Sequence, residues 1–200
     1  MATTTAAARG LYFLRRFLRS PREVGALWPS TRHLAGAMVD GLDLGPGDVV
    51  VEYGAGTGSF TPRIADRVGR AGTARYLGVE RDAGFCSILR RRFPGLDFAN
   101  AQVERIEDLL RERRLPAPRA ILSGLPLILL PTMDEIVTTA ERVLAPGGEF
   151  RTFTYLQSYP TPSATRLRRL MRATFDGFES SPLVWRNFPP AWVLCCTKAG

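Results

Sequence analysis

The sequence predicts an α/β fold, a doubly wound and mostly parallel sheet with helices on both faces. Three observations predict it. Short β-branched or apolar runs alternate with helix-periodic segments from Val49 to Tyr155, an order that calls for parallel strands joined by crossover helices. The first run, Val49-Val50-Val51, breaks into glycines at alternate positions, Glu52-Tyr53-Gly54-Ala55-Gly56-Thr57-Gly58, so a tight turn with few side chains follows the strand. The second run, 74–80, ends in Glu80, 22 residues past Gly58, where a doubly wound fold holds the acid that takes ribose hydroxyls.

Composition narrows the class. With 200 residues and 45% hydrophobic content, residues 1–200 suit one domain with a full core. The formal charge is +8, carried by 26 arginines and a single lysine, Lys198. That excess calls for an anionic partner, nucleic acid or a membrane surface, and charge alone does not choose between them. Cys86, Cys195 and Cys196 form no Cys-x-x-Cys pair; they read as reduced thiols, with no metal site. Arg9, Arg15 and Arg16 interrupt the N-terminal apolar residues, against a signal peptide. The longest apolar stretch, 120–130, holds Ser123, Gly124 and Pro126 and falls short of the ~18 residues of a spanning helix.

In chain order, 9–22 reads as a helix. On a wheel, Leu11, Phe13, Leu14, Phe17 and Leu18 share an arc of about 160°, while Arg15, Arg16, Arg19 and Arg22 fill the other side. A basic amphipathic helix with aromatic residues on its apolar face suits a headgroup layer; the same face also suits packing on the core. Trp28-Pro29 is a break, and Ser30 or Thr31 caps a helix with His33 in its first turn. Helices are predicted at 60–68, 83–93, 106–114 and 131–144, and strands at 74–80, 96–99, 120–122 and 149–155. A basic insert follows at 158–175, with Arg166, Arg168, Arg169 and Arg172 around Leu167, Leu170 and Met171. Residues 183–196 read as two strands flanking a proline turn.

The spacing Glu52-x-Gly54-x-Gly56-x-Gly58 differs from the dinucleotide fingerprint Gly-x-Gly-x-x-Gly. It resembles motif I of class I S-adenosylmethionine (SAM) methyltransferases. That resemblance implies a Rossmann-like, mostly parallel seven-stranded sheet with an antiparallel C-terminal strand, and SAM as cofactor with S-adenosylhomocysteine as product. It places Glu52, Gly54, Gly56, Gly58, Ser59, Glu80, Arg81, Asn100, Ala101 and Ser123 around the cofactor. Asn100 stands where an acid commonly accepts the adenine amino group, and Tyr53 where a small aliphatic is usual.

Four stretches make the resemblance more specific: Phe17-Leu18-Arg19-Ser20-Pro21 through Pro29-Ser30-Thr31, the Glu52–Gly58 loop, Ser123-Gly124-Leu125-Pro126-Leu127, and Trp185-Arg186-Asn187-Phe188-Pro189-Pro190. Together they resemble bacterial phospholipid N-methyltransferases, the soluble class related to rRNA adenine dimethyltransferases. The resemblance implies methylation of phosphatidylethanolamine towards phosphatidylcholine by a cytoplasmic enzyme, peripheral on the inner face of the plasma membrane. Expected substrate contacts are Ser30, Thr31, Leu125, Pro126, Tyr155, Trp185 and Arg186. Tyr155 orients the amine, with His33 a second candidate; Tyr53, Tyr155 or Trp185 faces the quaternary product, and Arg186 takes the lipid phosphate. The expected contacts with anionic lipid are Phe13, Leu14, Arg15, Arg16, Phe17, Leu18, Arg19, Arg166, Arg168, Arg169 and Arg172.

The related rRNA enzymes carry Asn-hydrophobe-Pro-aromatic after the fourth strand. Ser123 is taken to replace that Asn and Leu127 the aromatic, which removes the hydrogen-bond partner and stacking face of a flipped base. No nucleic-acid partner is therefore expected. The alternative function is methylation of nucleic acid or of a soluble amine by the same fold.

Overall fold

The computed structural model describes residues 31–200. The predicted basic helix at 9–22, the break at 28–29 and Ser30 lie outside them. Helix α1 (Thr31–Val39) leads into β1 (Val49–Tyr53), followed by α2 (Thr61–Arg70), β2 (Arg75–Glu80), α3 (Ala83–Arg92), β3 (Asp97–Asn100), α4 (Ile106–Glu112) and β4 (Ala120–Ser123). Then come α5 (Met133–Val143), β5 (Glu149–Tyr155), α6 (Pro162–Thr174), β6 (Gly177–Ser180) and β7 (Ala191–Thr197).

The seven strands form one sheet in the order β3-β2-β1-β4-β5-β7-β6. β1 to β5 run parallel, and β7 is antiparallel to both β5 and β6. The strand order reverses between β1 and β4, and a crevice outside the carboxyl ends of the strands opens at such a point.

Every residue of β1 is buried, as expected of a central strand covered on both faces. Val49, Val51 and Tyr53 face one layer, where Ile106 and Leu109 of α4, Ile136 and Val137 of α5, and Leu167 and Met171 of α6 pack. Val50 faces the other layer, with Leu34 and Met38 of α1, Ile64 and Val68 of α2, and Cys86 and Leu89 of α3. Within the segment expected as a basic insert, 158–175, α6 packs one face, Ala164, Leu167 and Met171, on the core. Its N-terminus is capped by the Thr161 hydroxyl, which accepts from Ala164 N.

The C-terminal hairpin differs from the expectation. Its first strand is β6 rather than residues around Leu183, and 181–190 is a loop joined to β7 by one bridge, Val184 to Ala191. Pro182, Pro189 and Pro190 lack the N–H a ladder needs. A four-residue edge strand containing glycine and glutamate gives little periodic signal.

Arg151 fixes α1 to the sheet. Its guanidinium is buried, pairs with Glu149 at 2.7 Å, and donates to Asp40 O at 2.7 Å and Met38 O at 3.2 Å. The C-terminal end of α1 thus sits by Arg151, near the start of β5. Arg151→Ala should strand a carboxylate and two carbonyls and lower unfolding stability by about 3 kcal/mol, measured by denaturant titration.

Candidate active site

The glycine loop sits at the carboxyl end of β1 and is shaped by three glycines in the left-handed region, Gly54 at φ 69°, Gly56 at 55° and Gly58 at 82°. Side chains rarely adopt such angles. At Gly54 space is as decisive as angle. A Cβ there would lie 2.4 Å from Leu125 Cδ2, so the turn after β4 packs directly on the first glycine. Gly124 N donates to Tyr53 O at 2.8 Å and closes the two turns against each other.

Glu80 links this loop to the end of β2. Its carboxylate is 7% exposed; one oxygen accepts from Gly56 N at 2.9 Å and the other from Asp82 N at 2.8 Å. A carboxylate offers about four lone-pair sites, so both oxygens keep capacity for further donors. Asp82 in turn caps α3 by accepting from Gly84 N and Phe85 N. Its role passed unnoticed in the sequence, although an Asp just before a helix is a readable cap signal.

Asn100 completes the third corner. Its Nδ2 donates to Glu80 O and Arg81 O, each at 3.0 Å, and Ala101 N donates to Glu80 O at 3.1 Å. Two carbonyls facing the amide assign its NH2 to them and leave Oδ1 as a free acceptor. The structure therefore brings Gly56, Glu80, Arg81, Asn100 and Ala101 together. Arg81 is exposed and enters through its carbonyl. Ser59 is exposed, with its hydroxyl beside Thr57, and it does not join the Glu80 network.

Glu52 plays a different part. It is 1% exposed, and its Oε2 accepts from Thr61 Oγ1 at 2.8 Å and Tyr76 OH. It ties β1 to α2 and β2 beneath the loop. Burial drives its pKa up to about 7 from an ordinary 4.5, against the lowering effect of the two hydroxyl donors.

Ser123 is also relocated. It is fully buried at the last position of β4, with its Oγ accepting from Leu125 N at 3.4 Å, and it shapes the turn. The motif comparison shifts by one residue as well. A four-residue motif ending at Leu127 begins at Gly124, so Gly124, not Ser123, occupies the Asn position. A Cβ at Gly124 would press on Gly54 O at 3.0 Å, so a side chain there would need the loop backbone to give by a few tenths of an ångström.

Tyr155 ends β5, opposite Ala191, and stands edge-on to Phe153 with centroids 5.3 Å apart. Phe153 in turn meets Phe60 edge-on at 5.8 Å, so an aromatic wall runs from the glycine loop to Tyr155. Burial pushes the phenol up to about 12. Tyr53 is corrected: it is buried in the opposite layer, near α4, and cannot face a product in the crevice. Trp185 and Arg186, expected as substrate contacts, are exposed on the 181–190 loop. Leu125 and Pro126 do lie at the turn. Thr31, expected with Ser30 as the cap, is the first residue of α1.

The α6 arginines are mostly engaged. Arg166 pairs with Asp134, Arg168 donates to Tyr159 O at 2.9 Å and lies 3.8 Å over its ring, and Arg172 lies 4.1 Å over Phe178. Arg169 is exposed.

Known proteins resemble this chain. The family described as "Methyltransferase domain" matches residues 50–148. An ornithine lipid N-methyltransferase of Singulisphaera acidiphila is 31% identical over 191 residues, covering 92% of this chain and 93% of that protein. The chain belongs to that enzyme's family of SAM-dependent methyltransferases. The ribosomal RNA small subunit methyltransferase A of Thermotoga maritima is 30% identical over 187 residues, which is 86% of this chain and 63% of that protein. Among solved structures, YcgJ of Bacillus subtilis matches with a TM-score of 0.63 at 11% identity over 84% of this chain and 99% of that one. A 16S rRNA methyltransferase of T. thermophilus, solved with AdoMet and guanosine, gives 0.62 at 22% identity over 88% of this chain and 45% of that one. These two likenesses show the class I fold.

The cofactor of this methyltransferase is SAM, and its residues fit that molecule. The glycine loop presents bare backbone at Gly54, Gly56 and Gly58, Glu80 has lone pairs for two ribose hydroxyls, and Asn100 Oδ1 can accept the adenine amino group. Gly54→Ala strains the backbone angle and pushes the Leu125 side chain aside, and should weaken SAM binding about tenfold, or about 1.4 kcal/mol, by titration calorimetry.

The raised Glu52 pKa makes stability pH-dependent. The buried acid's contribution is fully present below its unfolded pKa and is lost as pH rises through the folded value of about 7. Between pH 4.5 and 8, wild type should lose up to about 3 kcal/mol relative to Glu52→Gln, read from the difference between their unfolding curves.

Proposed function

We propose that this methyltransferase transfers methyl groups to the primary amine of a membrane lipid headgroup, with phosphatidylethanolamine the first candidate acceptor. The observation that carries the proposal is the turn after β4. Where the related rRNA enzymes place an Asn and an aromatic, this chain has Gly124, hemmed in by Gly54 O, and Leu127, buried in the core. A flipped base would find neither an amide nor a stacking ring there. The Singulisphaera relative, named for a lipid substrate, supports the same reading. An ornithine headgroup and an ethanolamine headgroup share a primary amine near an anionic group, so both belong in the test.

SAM supplies a sulfonium-bound methyl that an amine lone pair can displace in line. The protein's work is alignment and exclusion of water. Leu125 and Pro126 wall the crevice beside the glycine loop, and Phe60 and Phe153 carry the apolar wall towards Tyr155. A phenol that stays protonated to about pH 12 is no base at neutral pH. Its oxygen instead accepts one N–H of the uncharged amine and leaves the lone pair free. Proton loss from the ammonium therefore precedes alignment, and the rate should rise with pH as the free amine fraction grows. The protein would act as a peripheral enzyme on the cytoplasmic face of the membrane. Among the described residues, no helix is long and apolar enough to cross it.

Labelled SAM, offered with vesicles containing phosphatidylethanolamine or ornithine lipid and separately with rRNA fragments, tests the reading. Label should enter the lipid, and Tyr155→Phe should cut kcat about tenfold, the effect of one aligned hydrogen bond. Label in RNA alone would overturn it.

A further inference from the structure

Five large apolar side chains are exposed among the described residues: Ile88, Leu129, Leu156, Trp185 and Phe188. Four of them lie at one end of the molecule. Leu129 follows β4 and Leu156 follows β5, both at the carboxyl end of the sheet. Trp185 and Phe188 precede β7, whose antiparallel direction puts its first residue, Ala191, at that same end opposite Tyr155. This is the end that carries the crevice.

The loop bearing the two aromatics is held by its own hydrogen bonds. Val184 N donates to Ala191 O at 2.8 Å, Trp185 N to Leu183 O at 3.0 Å, and Asn187 N to Val184 O at 3.1 Å. The Asn187 side chain is buried and donates to Pro189 O at 2.7 Å, while Leu156 N reaches Pro190 O at 2.8 Å and ties the loop to the end of β5. A buried polar side chain spent on loop shape fixes what the loop displays. Trp185 is 71% exposed and Phe188 66%, with exposed Arg186 between them.

Rings that face water at such cost, grouped beside a crevice, mark a surface that meets something apolar. Trp and Phe next to an arginine match the depth profile of a headgroup layer, with rings at the acyl boundary and guanidinium at the phosphates. The chain's charge of +8 adds attraction to an anionic surface. We infer that the 181–190 loop, with Leu129 and Leu156, docks the carboxyl end of the sheet on an anionic lipid–water interface, so that the crevice opens into the headgroup layer. The inference rests on the lipid-acceptor reading. It also reassigns Trp185 from contact with the substrate amine to contact with the bilayer.

The test uses the full chain and vesicles of phosphatidylglycerol and phosphatidylethanolamine, without SAM. Brominated acyl chains should quench tryptophan fluorescence, and that part of the quenching should vanish in Trp185→Phe. Phe188→Ser with Leu156→Ser should lower vesicle affinity about tenfold and keep activity on a short-chain, monomeric phosphatidylethanolamine within about twofold, since a dispersed acceptor needs no docking. Quenching unchanged by Trp185→Phe, or unaltered vesicle affinity in the double variant, would overturn the inference and assign these rings to residues 1–30 or a second copy of the chain. A chain that docks but labels no lipid would instead sink the acceptor reading alone, because quenching is read without turnover.

Discussion

The Glu80 carboxylate is the joint on which the site depends. It takes one backbone N–H from the glycine loop after β1 and another from Asp82 after β2. Neither loop carries enough side chain to hold itself, since the first is nearly all glycine and small residues. A charged acceptor gripping two amides is stronger than a neutral pair, and its burial keeps water from competing. The same two oxygens are the ones a ribose would approach. Holding the loop and recognising the nucleoside are therefore one arrangement, built before the ligand arrives and costing no reorganisation when it does.

Beneath that joint lies a second carboxylate with the opposite logic. Glu52 is close in space but enclosed, satisfied by Tyr76 and Thr61, and pushed towards neutrality by its surroundings. Two acids on adjacent strands thus divide the labour: one grips the loop amides at the crevice, and the other serves as a cross-brace for the strand below.

Much of this was legible in the sequence. Strand-helix alternation gave the layers because both patterns are strictly periodic, and the glycine spacing with Glu80 located the cofactor end because loop geometry restricts residue choice. Less legible was anything decided by facing. Tyr53 lies on a strand buried on both sides, where alternation does not reveal which layer a ring enters. The arginines of α6 read as a free cationic face, yet Arg166 finds Asp134 on α5, and Arg168 and Arg172 lie over Tyr159 and Phe178 in the segments flanking the helix. β6 escaped because an edge strand of four residues, half-exposed, needs little hydrophobic pattern to form once β7 offers it a ladder.

The contact between Leu125 and Gly54 has a bearing on how such an enzyme changes its acceptor. One methyl of the acceptor wall rests on the first glycine of the cofactor loop, so the two pockets share a partition rather than standing side by side. Any residue that enlarges or shrinks the wall at 125 also alters the floor under the methyl donor. Preference for one acceptor over another cannot drift at this position independently of cofactor affinity, and substitutions at the two loops are expected to be energetically coupled. New acceptors are reached more readily through the outer rim, where a change leaves the partition intact.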